Sequence, residues 1–524
     1  MKTHTERAFE GEIEAHLLAH GYTQGVAEAF DAKRALFPAE VLAFVQATQP
    51  KIWEAIEKYY GATAPAMLLD DLCKSLATLG MLHVLRNGFN CFRKTVRMAY
   101  FAPATAMNPE TLRRYAANQL TVTRQVHHSV LRPKDSVDML LALNGLPLVT
   151  AELKNPMTGQ NVFSAMHQYR SDRDAKDALF AFKQRALVHF AVDPDQVMMS
   201  TRVDGRSTHF LPFNLGNGTE AGNPPNPQGH KTAYLWQRVW QRDSLLDIFG
   251  RFMHLLKDEK DYLSTKGGKT TVQKKRSETL IFPRYHQLDA VRKLTDTARA
   301  IGPGRNYLVQ HSAGSGKSNT IAWLAHRLSN LHNAQDGKVF DCVIVITDRR
   351  VLDKQLQDTV FQFDHKQGVV KKIDEDSGQL AQALKDAVPI IITTLQKFPF
   401  VTEKVGELEN RNYAVIVDEA HSSQSGEQAA ELKGILNEAG INHVAEQRVE
   451  FDVVETQWTR PCCAAPTAHR CAAASSPTSV SLPSRRHRSS RRCRSSMKWV
   501  MTATRRFTAT PCARPLMKVL FWMC

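Results

Sequence analysis

The stretch LVQHSAGSGKSNTI at residues 308–321 decides the fold of the second half of this 524-residue chain. An apolar, strand-like run leads into a Gly-Ser-Gly-Lys-Ser turn, and an apolar helical pattern follows the turn. Successive backbone N–H groups in such a turn, together with the N-terminus of the helix, form a cradle for phosphate. Further along, YAVIVDEAH at residues 413–421 ends a second apolar strand in two carboxylates. Together the two stretches predict a site for a nucleotide and its Mg²⁺.

The residues of the turn have distinct predicted roles. Lys317 is expected to reach the β- and γ-phosphates of ATP, and the Ser318 hydroxyl is expected to ligate Mg²⁺. His311 stands where the usual pattern has its first glycine, so the prediction depends on the strand before the turn and the helix after it. A purely structural loop is the alternative. The predicted cofactor-binding residues of the turn are Gly314, Ser315, Gly316, Lys317 and Ser318.

Two carboxylates and an upstream segment complete the predicted nucleotide site. Asp418 is placed to hold Mg²⁺ through water, and Glu419 to orient the water that attacks the γ-phosphate. A lone acidic pair after a strand is usually solvated, but the upstream loop favours the catalytic interpretation. The segment FPRYHQ lies one helix before the loop, where Tyr285 or Gln287 could contact adenine. An ordinary helix start explains that segment equally well.

Two strand-like runs in the first half carry a second candidate site. SVDMLLAL contains Asp138, and LPLVTAELK ends in Glu152 and Lys154 after an Asn-Gly turn. In an antiparallel hairpin the two carboxylates meet at one edge, and Lys154 shares the face of Glu152 because side chains alternate with period two. Two carboxylates can hold Mg²⁺ beside a DNA phosphate while a lysine stabilises or activates the nucleophile. On the pattern alone, a surface salt-bridge cluster is the simpler interpretation.

The chain divides into segments of different pattern. Residues 1–260 alternate helical stretches with strand-like runs, which is typical of a mixed α/β domain. Residues 261–278 are polar and contain glycine, which predicts a linker. Residues 279–458 alternate strands with helices, which indicates a doubly wound parallel sheet. Residues 459–524 have no periodicity and predict a disordered basic tail.

The positive charge of the chain lies mainly in that tail. The formal net charge is +16, but the tail holds 11 Arg and 2 Lys without one acidic residue, so it supplies 13 of those charges. The charge of the remainder therefore does not by itself indicate nucleic-acid binding. Six of the nine cysteines also lie in the tail without metal-ligand spacing, which predicts neither a disulfide framework nor a zinc site.

The sequence has no sign of a membrane partner. No hydrophobic run reaches transmembrane length, and the N-terminus has the pattern of neither a signal nor a transit peptide. We therefore expect a cytoplasmic protein.

A shifted reading frame explains the tail better than selection for a disordered region. In the shifted frame, two bases of each codon are constrained by the residues of this chain, and the free base is chosen to favour sense. Residues 476–524 can then encode a patterned chain that includes SFFAFTATPK. We therefore expect an out-of-frame translation that begins between residues 440 and 475, with FTATP at 507–511 an accident of the wrong frame.

The nucleotide motifs resemble the motor of superfamily 2 helicases, for which DEAH at residues 418–421 is characteristic. Four longer stretches are similar to the restriction (R) subunit of type I restriction-modification systems: QHSAGSGKSNTIAWLAHRLS, VIVITDRRVLDKQL, IIITTLQKFPF and VIVDEAHSSQSGE. The resemblance covers residues 5–440. It implies an N-terminal PD-(D/E)xK nuclease domain, in which Asp138, Glu152 and Lys154 are catalytic and the two carboxylates bind metal.

The resemblance also implies cofactors and partners. These are ATP and Mg²⁺, double-stranded DNA, and the methyltransferase (M) and specificity (S) subunits; S chooses the site, while R hydrolyses ATP, pulls DNA and cuts it at a distance. Glu10 or Glu14 is a further candidate metal ligand, with a solvated helix face as the alternative. Gln168 and Tyr169 resemble a motif of the following helix with altered spacing.

Two other functions stay open. The first is a superfamily 2 translocase or helicase whose N-terminal domain only binds DNA. The second is a non-catalytic fragment, because a helicase motor hydrolyses ATP between two lobes and this chain ends, in sense, before the second.

Overall fold

The computed structural model describes residues 6–218, 220–266, 269–312, 314–347, 359–360, 369–373, 377–394, 411–418, 452–455 and 516–523. These residues form an N-terminal region (residues 6–253), a long two-stranded hairpin and a C-terminal region (residues 282–523). No helix within the described ranges combines the length and the apolar character that crossing a membrane requires.

A mixed seven-stranded sheet forms the centre of the N-terminal region. The strands of this region are β1 (Tyr22–Gln24), β2 (Phe89–Cys91), β3 (Lys94–Val96), β4 (Leu120–His127), β5 (Ser136–Leu143), β6 (Leu146–Leu153), β7 (Val188–Val192), β8 (Val197–Ser200) and β9 (Leu211–Pro212). The sheet order is β1-β4-β5-β6-β7-β8-β9, and β2 pairs with β3 alone. The pairs β4-β5 and β5-β6 are antiparallel, whereas β6 and β7 are parallel. All of β6 is buried, which matches its almost continuous apolar sequence.

The helices of this region bury apolar side chains, with the exception of the helix at Pro109–Ala116, which buries none. α1 (Glu6–Ala19) buries Phe9, Ile13 and Leu17, which recur once per helical turn. The other helices of the region are α2 (Pro38–Thr48), α3 (Pro50–Tyr60), α4 (Ala64–Leu79), α5 (Met81–Asn87), α6 (Pro109–Ala116), α7 (Val162–Ser171) and α8 (Arg242–Asp247). Both α1 and α7 pack against β6.

The predicted turn between β5 and β6 is confirmed. Asn144 and Gly145 both have positive φ, at 52° and 83°, as a tight hairpin turn between twisted strands requires. A Cβ atom on Gly145 would lie 2.7 Å from the carbonyl oxygen of Phe37, so no larger residue fits. The Asn144 side chain accepts from the backbone N–H of Gln119 at 2.7 Å and donates to the carbonyl oxygen of Met98 at 2.9 Å. The turn is thus fixed by conformation and by side-chain bonds.

The predicted linker is wrong, because its residues belong to a long antiparallel hairpin. β10 (His254–Lys266) pairs with β11 (Lys269–Ile281) along its whole length. The sequence contains one sign of the hairpin: two glycines separate the two runs, which is typical of a hairpin turn, although the first run is rich in Lys, Asp and Glu. The Thr201 hydroxyl donates to the carbonyl oxygen of Leu280 at 2.8 Å and joins the hairpin to the N-terminal region.

The C-terminal region contains the expected parallel sheet. Its strands are β12 (Asn306–Ser312), β13 (Cys342–Thr347), β14 (Val370–Lys372), β15 (Ile390–Thr394), β16 (Tyr413–Val417), β17 (Asp452–Glu455) and β18 (Leu516–Met523), in the order β14-β15-β13-β16-β18-β12-β17. The helices are α9 (Tyr285–Ile301), α10 (Lys317–Ser329) and α11 (Ser377–Lys385). The pairs β14-β15, β13-β15, β13-β16 and β12-β17 are all parallel. Parallel strands alternating with helices confirm the doubly wound class.

One segment of the predicted disordered tail differs from the prediction. Leu516–Met523 form β18, which lies between β12 and β16 and is antiparallel to both. The segment reads LMKVLFWM, and its apolar and aromatic residues suit a buried strand. Residues 456–515, most of the tail, lie outside the described ranges.

Polar contacts of one carboxylate join the two regions. Asp247, at the end of α8, forms ion pairs with Arg292 of α9 at 3.3 Å and with Arg327 of α10. The Trp323 indole N–H donates to the carbonyl oxygen of Phe252 at 2.6 Å. A single cluster of buried apolar side chains also continues from the N-terminal region through Phe282 into the C-terminal region.

Candidate active sites

The first candidate site lies where β5 begins and β6 ends. Asp138 Oδ2 accepts the backbone N–H of Leu153 at 2.8 Å and the ammonium of Lys154 at 3.2 Å. Both charged side chains are largely buried, with exposed residue fractions of 6% and 5%. The antiparallel register brings them together, because Met139 pairs with Ala151 and therefore sets Asp138 opposite Glu152. The hairpin prediction for Asp138 and Lys154 is confirmed in this respect.

The first helix adds two carboxylates to this pair. The Glu6 carboxylate accepts a hydrogen bond from Lys154 Nζ at 2.7 Å. Single carboxylate oxygens of Glu6, Glu10 and Asp138 all lie within 4.8 Å of one another, a spacing at which one cation can contact all three. Burial raises the pKa of Glu10, and Asp138 adds to the rise while Arg124 opposes it. Sequence reasoning named Glu10 but missed Glu6, whose acidic side chain lies one turn earlier on the same helix.

Arg124 contacts both glutamates that the sequence named on the first helix. Its guanidinium bonds Glu10 at 2.8 Å and Glu14 at 3.2 Å. Only Glu10 of these two belongs to the group of closely spaced oxygens around Asp138. Glu14 is therefore placed to orient Arg124 rather than to bind a cation with Asp138.

Glu152 lies on the same face but has a different partner. Its Oε1 accepts a 2.7 Å hydrogen bond from Arg173 Nε, and its side chain is fully buried. Burial, and after it the charge of Asp138, raises the pKa of this carboxyl to about 8 although Arg173 opposes the rise. Among the described residues, Glu152 Oε2 is buried without a hydrogen-bond partner. Sequence reasoning missed Arg173, which follows α7 and bears no motif that marks it.

The state of the lysine follows from its neighbours. Burial alone would lower the pKa of Lys154, but Asp138 and Glu6 outweigh it, and the pKa is raised overall. The side chain is therefore an ammonium at neutral pH. Such a group stabilises negative charge rather than accepting a proton.

The α7 residues named from the sequence occupy different places. Gln168 lines an open cavity of about 740 Å³ together with Glu6, Asp138 and Lys154. Tyr169 is fully buried behind β6, where its hydroxyl lies 2.8 Å from the Thr150 hydroxyl. Gln168 is thus available to a ligand in this cavity, whereas Tyr169 supports the strand.

The second candidate site is the loop between β12 and α10. Gly314 and Gly316 have φ values of 75° and 86°, which only glycine adopts without strain. A Cβ atom on Gly316 would lie 2.6 Å from Gln287 Nε2. That amide donates to the carbonyl oxygen of Gly316 at 2.8 Å, so α9 holds the loop directly.

Two histidines support the loop from beneath. His286 Nε2 lies 3.2 Å from the carbonyl oxygen of Ser315, and its ring packs edge-on against His311 at 5.2 Å between centroids. Burial lowers the pKa of His286 to about 3 and that of His311 to about 4, so both rings are neutral. His311 thus replaces the usual glycine with a buried packing residue.

The loop lysine meets the predicted metal carboxylate. Lys317 Nζ lies 2.8 Å from Asp418 Oδ1, and both side chains are largely buried. Lys317 opens α10 and Asp418 directly follows β16, as the sequence predicted. Ser318 is half-buried at the start of the same helix, and Ser315 Oγ is buried without a hydrogen-bond partner in the described part of the chain. Glu419 lies outside the described residues.

The structure separates the two residues predicted to contact adenine. Gln287 is next to the loop, as described above. Tyr285 packs against the N-terminal region, with its ring 5.0 Å from that of Tyr234 and 6.0 Å from that of Phe213. These contacts explain the position of Tyr285 by packing between aromatic rings, and its role in adenine binding stays a prediction.

Comparisons with known proteins match both regions. Residues 12–208 match the family described as Type I restriction enzyme R protein N terminus, and residues 286–442 match the SWI2/SNF2 ATPase family. The chain is 28% identical over 311 residues to the type I restriction enzyme HindI endonuclease subunit of Haemophilus influenzae, covering 55% of this chain and 26% of that protein. It is 25% identical over 333 residues to a type I restriction enzyme endonuclease subunit of Staphylococcus saprophyticus, covering 62% and 31%. The chain thus spans about a quarter to a third of the length of these curated relatives.

Proposed function

We propose, from the premise that this chain belongs to the family of type I restriction enzyme R proteins, that it cleaves DNA at the Asp138 site and moves DNA with ATP bound at the Lys317 site. The contact between Asp138 and Lys154 carries the nuclease part of the proposal. Burying a carboxylate and an ammonium removes both from water, and the desolvation costs free energy. Such a pair is therefore more easily explained by function than by stability. The open cavity beside the pair gives a phosphodiester access to both groups.

The donor set around Asp138 fits a divalent cation. Carboxylate oxygens are the ligands that Mg²⁺ prefers, and the orphaned Glu152 Oε2 is the kind of atom that a cation satisfies. Asp138, Glu10 and Glu6 would hold the ion, since their oxygens lie within 4.8 Å of one another. Glu152 lies outside this group, and its Oε2 would be a further ligand. When bound, Mg²⁺ would polarise a phosphate oxygen and lower the pKa of a water ligand.

The protein residues of this site have separate tasks. Lys154, as an ammonium, would stabilise the negative charge that grows on the phosphate during attack. Arg173 donates a hydrogen bond to Oε1 of Glu152. Oε2 has no hydrogen-bond partner among the described residues and would be available to a cation. Arg124 orients Glu10 from the opposite side of the group.

The nucleotide site supports the motor part of the proposal. The backbone N–H groups of the loop and the start of α10 would bind the phosphates of ATP, with Lys317 beside the γ-phosphate. Ser318 and Asp418 would hold Mg²⁺, and Glu419 is proposed to orient the attacking water. Gln287, which bonds the loop through the carbonyl oxygen of Gly316, is proposed to contact adenine.

The partners of the whole protein are part of the proposal. Double-stranded DNA is the substrate, and methyltransferase and specificity subunits are the proposed partners in a complex. The relatives that match are named as endonuclease subunits of type I restriction enzymes. The shifted-frame interpretation of residues 459–524 stays a proposal, and resequencing the gene across codons 440–480 tests it.

Removal of the nuclease carboxylate tests the proposed function. Asp138→Asn keeps the shape of the side chain but removes the charge that a cation and Lys154 require. In a complex with the M and S subunits, this variant should lose plasmid cleavage while ATP binding stays as in wild type. Asp204→Asn, which changes an exposed carboxylate of the same region, is the control and should cleave normally. Cleavage by Asp138→Asn at the wild-type rate would refute the assignment.

A further inference from the structure

The nuclease region contains a second concave surface that the proposed function leaves unused. A groove of about 1030 Å³ lies between the start of α3, the segment after β3 and helix α6. We call it the basic groove. Five cations line it: Lys51, Arg86, Arg97, Arg113 and Arg114.

Positive charge is in excess in the basic groove. Glu110 is the one carboxylate among the residues that line it, and it is shared by Arg113 at 2.5 Å and Arg114 at 2.9 Å. Arg97 uses one guanidinium nitrogen to donate to the carbonyl oxygen of Arg86 at 2.9 Å, a neutral partner. Lys51 is exposed and forms no ion pair within the described residues. Arg86 donates to the carbonyl oxygens of Phe249 and Met253, which are also neutral partners. One carboxylate therefore faces five cations.

Buried side-chain amides fix the backbone of one wall of the basic groove. Gln49 is nearly buried, and its amide holds the backbone of Arg97 through two hydrogen bonds of 2.8 Å, one in each direction. Asn118 similarly accepts the backbone N–H of Tyr100 at 3.1 Å and donates to its carbonyl oxygen. The wall that presents Arg97 and Tyr100 is thus fixed by buried amides from neighbouring elements.

Aromatic rings lie among the cations. Tyr100 and Phe101 are half-buried in the wall of the groove. The guanidinium carbon of Arg114 lies 5.9 Å from the centre of the Tyr100 ring. Cations beside partly exposed rings are the combination that binds nucleic acid, where phosphates meet the cations and sugars or bases meet the rings.

The basic groove is separate from the Asp138 site. Asn144, at the end of β5, bonds the carbonyl oxygen of Met98 and the Asn118 side chain, so the wall of the groove adjoins that end of the strand. Asp138 lies near the other end, six residues earlier along extended chain. At about 3.3 Å per residue the separation is roughly 20 Å.

We propose that the basic groove binds the phosphodiester backbone of DNA as a second contact of the nuclease region. The inference rests on the proposed function in taking DNA as the partner. It adds a place where DNA is held without being cut. A site of this kind contributes affinity and position, and its phosphate contacts make binding depend on salt.

DNA binding by the full chain in EDTA tests this inference, because no cleavage occurs without a divalent cation. The triple variant Arg97→Gln, Arg113→Gln, Arg114→Gln removes three charges from the groove. The triple variant Lys33→Gln, Lys74→Gln, Lys231→Gln removes three exposed charges elsewhere in the same region and is the matched control. Fluorescence anisotropy with a 5′-labelled duplex of about 30 base pairs, and with its single strand, gives the dissociation constants at several salt concentrations.

We expect the groove variant to bind at least about tenfold more weakly than the control, with a salt dependence shallower by roughly two to three counterions. Equal weakening for duplex and single strand would indicate backbone contacts alone, and stronger weakening for the single strand would add contacts of bases with Tyr100 or Phe101. Equal affinities of the groove and control variants for DNA would overturn the inference. The basic groove would then be a candidate site for an acidic protein surface instead. Absence of DNA binding by the unaltered chain would also overturn it.

The outcome is distinguishable from failure of the proposed function. Asp138→Asn should bind DNA as the unaltered chain does, because it leaves the groove intact. Thermal unfolding of both triple variants at the same temperature as the unaltered chain would show that lost binding is not lost folding.

Discussion

Lys317 Nζ lies 2.8 Å from Asp418 Oδ1, so the phosphate-binding loop and the acidic strand end are joined by an ion pair. Each side chain compensates the charge of the other in a largely buried position. Mg²⁺ and the phosphates of ATP would take over these two roles, with the metal on the carboxylate and the phosphates on the lysine. The pair therefore holds the two parts of the candidate nucleotide site next to each other.

Replacement of the loop lysine tests this relationship. Lys317→Ala removes a charge-assisted contact worth about 1.5–3 kcal/mol, so ATP should bind roughly 10- to 100-fold more weakly. Titration calorimetry with Mg²⁺-ATP measures the change. Lys338→Ala, an exposed lysine of the same region, should leave binding unchanged. Equal affinities of the two variants would contradict the role of Lys317.

The close approach of Gln287 to Gly316 predicts a steric effect in the loop. Gly316→Ala combines a strained φ with a Cβ atom 2.6 Å from Gln287 Nε2, so it should displace the loop and weaken ATP binding. Gly302→Ala has the same kind of φ but open space around its Cβ, so it should cost stability without altering ATP affinity. The double variant Gly316→Ala, Gln287→Ala removes the clash. It should recover part of the affinity, and failure to recover any would indicate strain alone.

A buried histidine predicts a dependence of stability on pH. Burial lowers the pKa of His189 to about 3, below its ordinary value of about 6.5. Between these values the unfolded chain binds a proton that the folded chain does not, so this residue stabilises the fold above pH 6.5 and loses that effect as pH falls. The free energy of unfolding should drop by about 1.4 kcal/mol per pH unit from this residue. Urea unfolding at pH 5 and pH 7 should show a shallower drop for His189→Gln than for the exposed His167→Gln, and identical slopes would refute the assignment.

The ion pair of Glu152 with Arg173 predicts a large loss of stability. Arg173→Met leaves a fully buried carboxyl without its hydrogen-bond partner, which costs at least about 1–3 kcal/mol. Arg202→Met breaks a solvent-exposed pair with Asp204 and should cost less than about 1 kcal/mol. Denaturant unfolding compares the two. If both variants lost the same small amount of unfolding free energy, the contact between Glu152 and Arg173 would not contribute to stability.

Local patterns in the sequence predicted those parts of the fold that local forces determine. β5 and β6 have the predicted bounds, because their apolar runs are ended by the Asn144-Gly145 turn. The first helix includes Glu6, which the pattern did not mark because its first turn is polar and does not contribute to the apolar stripe of Phe9, Ile13 and Leu17. The hairpin of β10 and β11 was predicted as a linker, since polar composition concealed its strand pattern.

In the candidate sites too, local motifs were predicted and tertiary contacts were not. Asp138, Lys154 and Lys317 were predicted because each belongs to a compact motif. Arg173 and His286 were not, because each acts through contacts with residues distant in the chain, Glu152 and Ser315. The segment FPRYHQ suggested that Tyr285 or Gln287 contacts adenine. It did not show that the ring of Tyr285 packs against that of Tyr234. Tertiary contacts of this kind leave no periodic signal in a single sequence.

The central claim is that a nuclease site and a separate ATP site lie in one chain. Plasmid cleavage with ATP and Mg²⁺ tests it most directly, using the chain with its frame restored, assembled with M and S subunits, in the form Lys154→Ala. The matched control is Lys176→Ala, an exposed lysine of the same region. We expect Lys154→Ala to lower the cleavage rate at least about 100-fold while ATP hydrolysis stays as in the control. Unchanged cleavage by Lys154→Ala, or loss of ATP hydrolysis together with cleavage in a folded variant, would contradict the account.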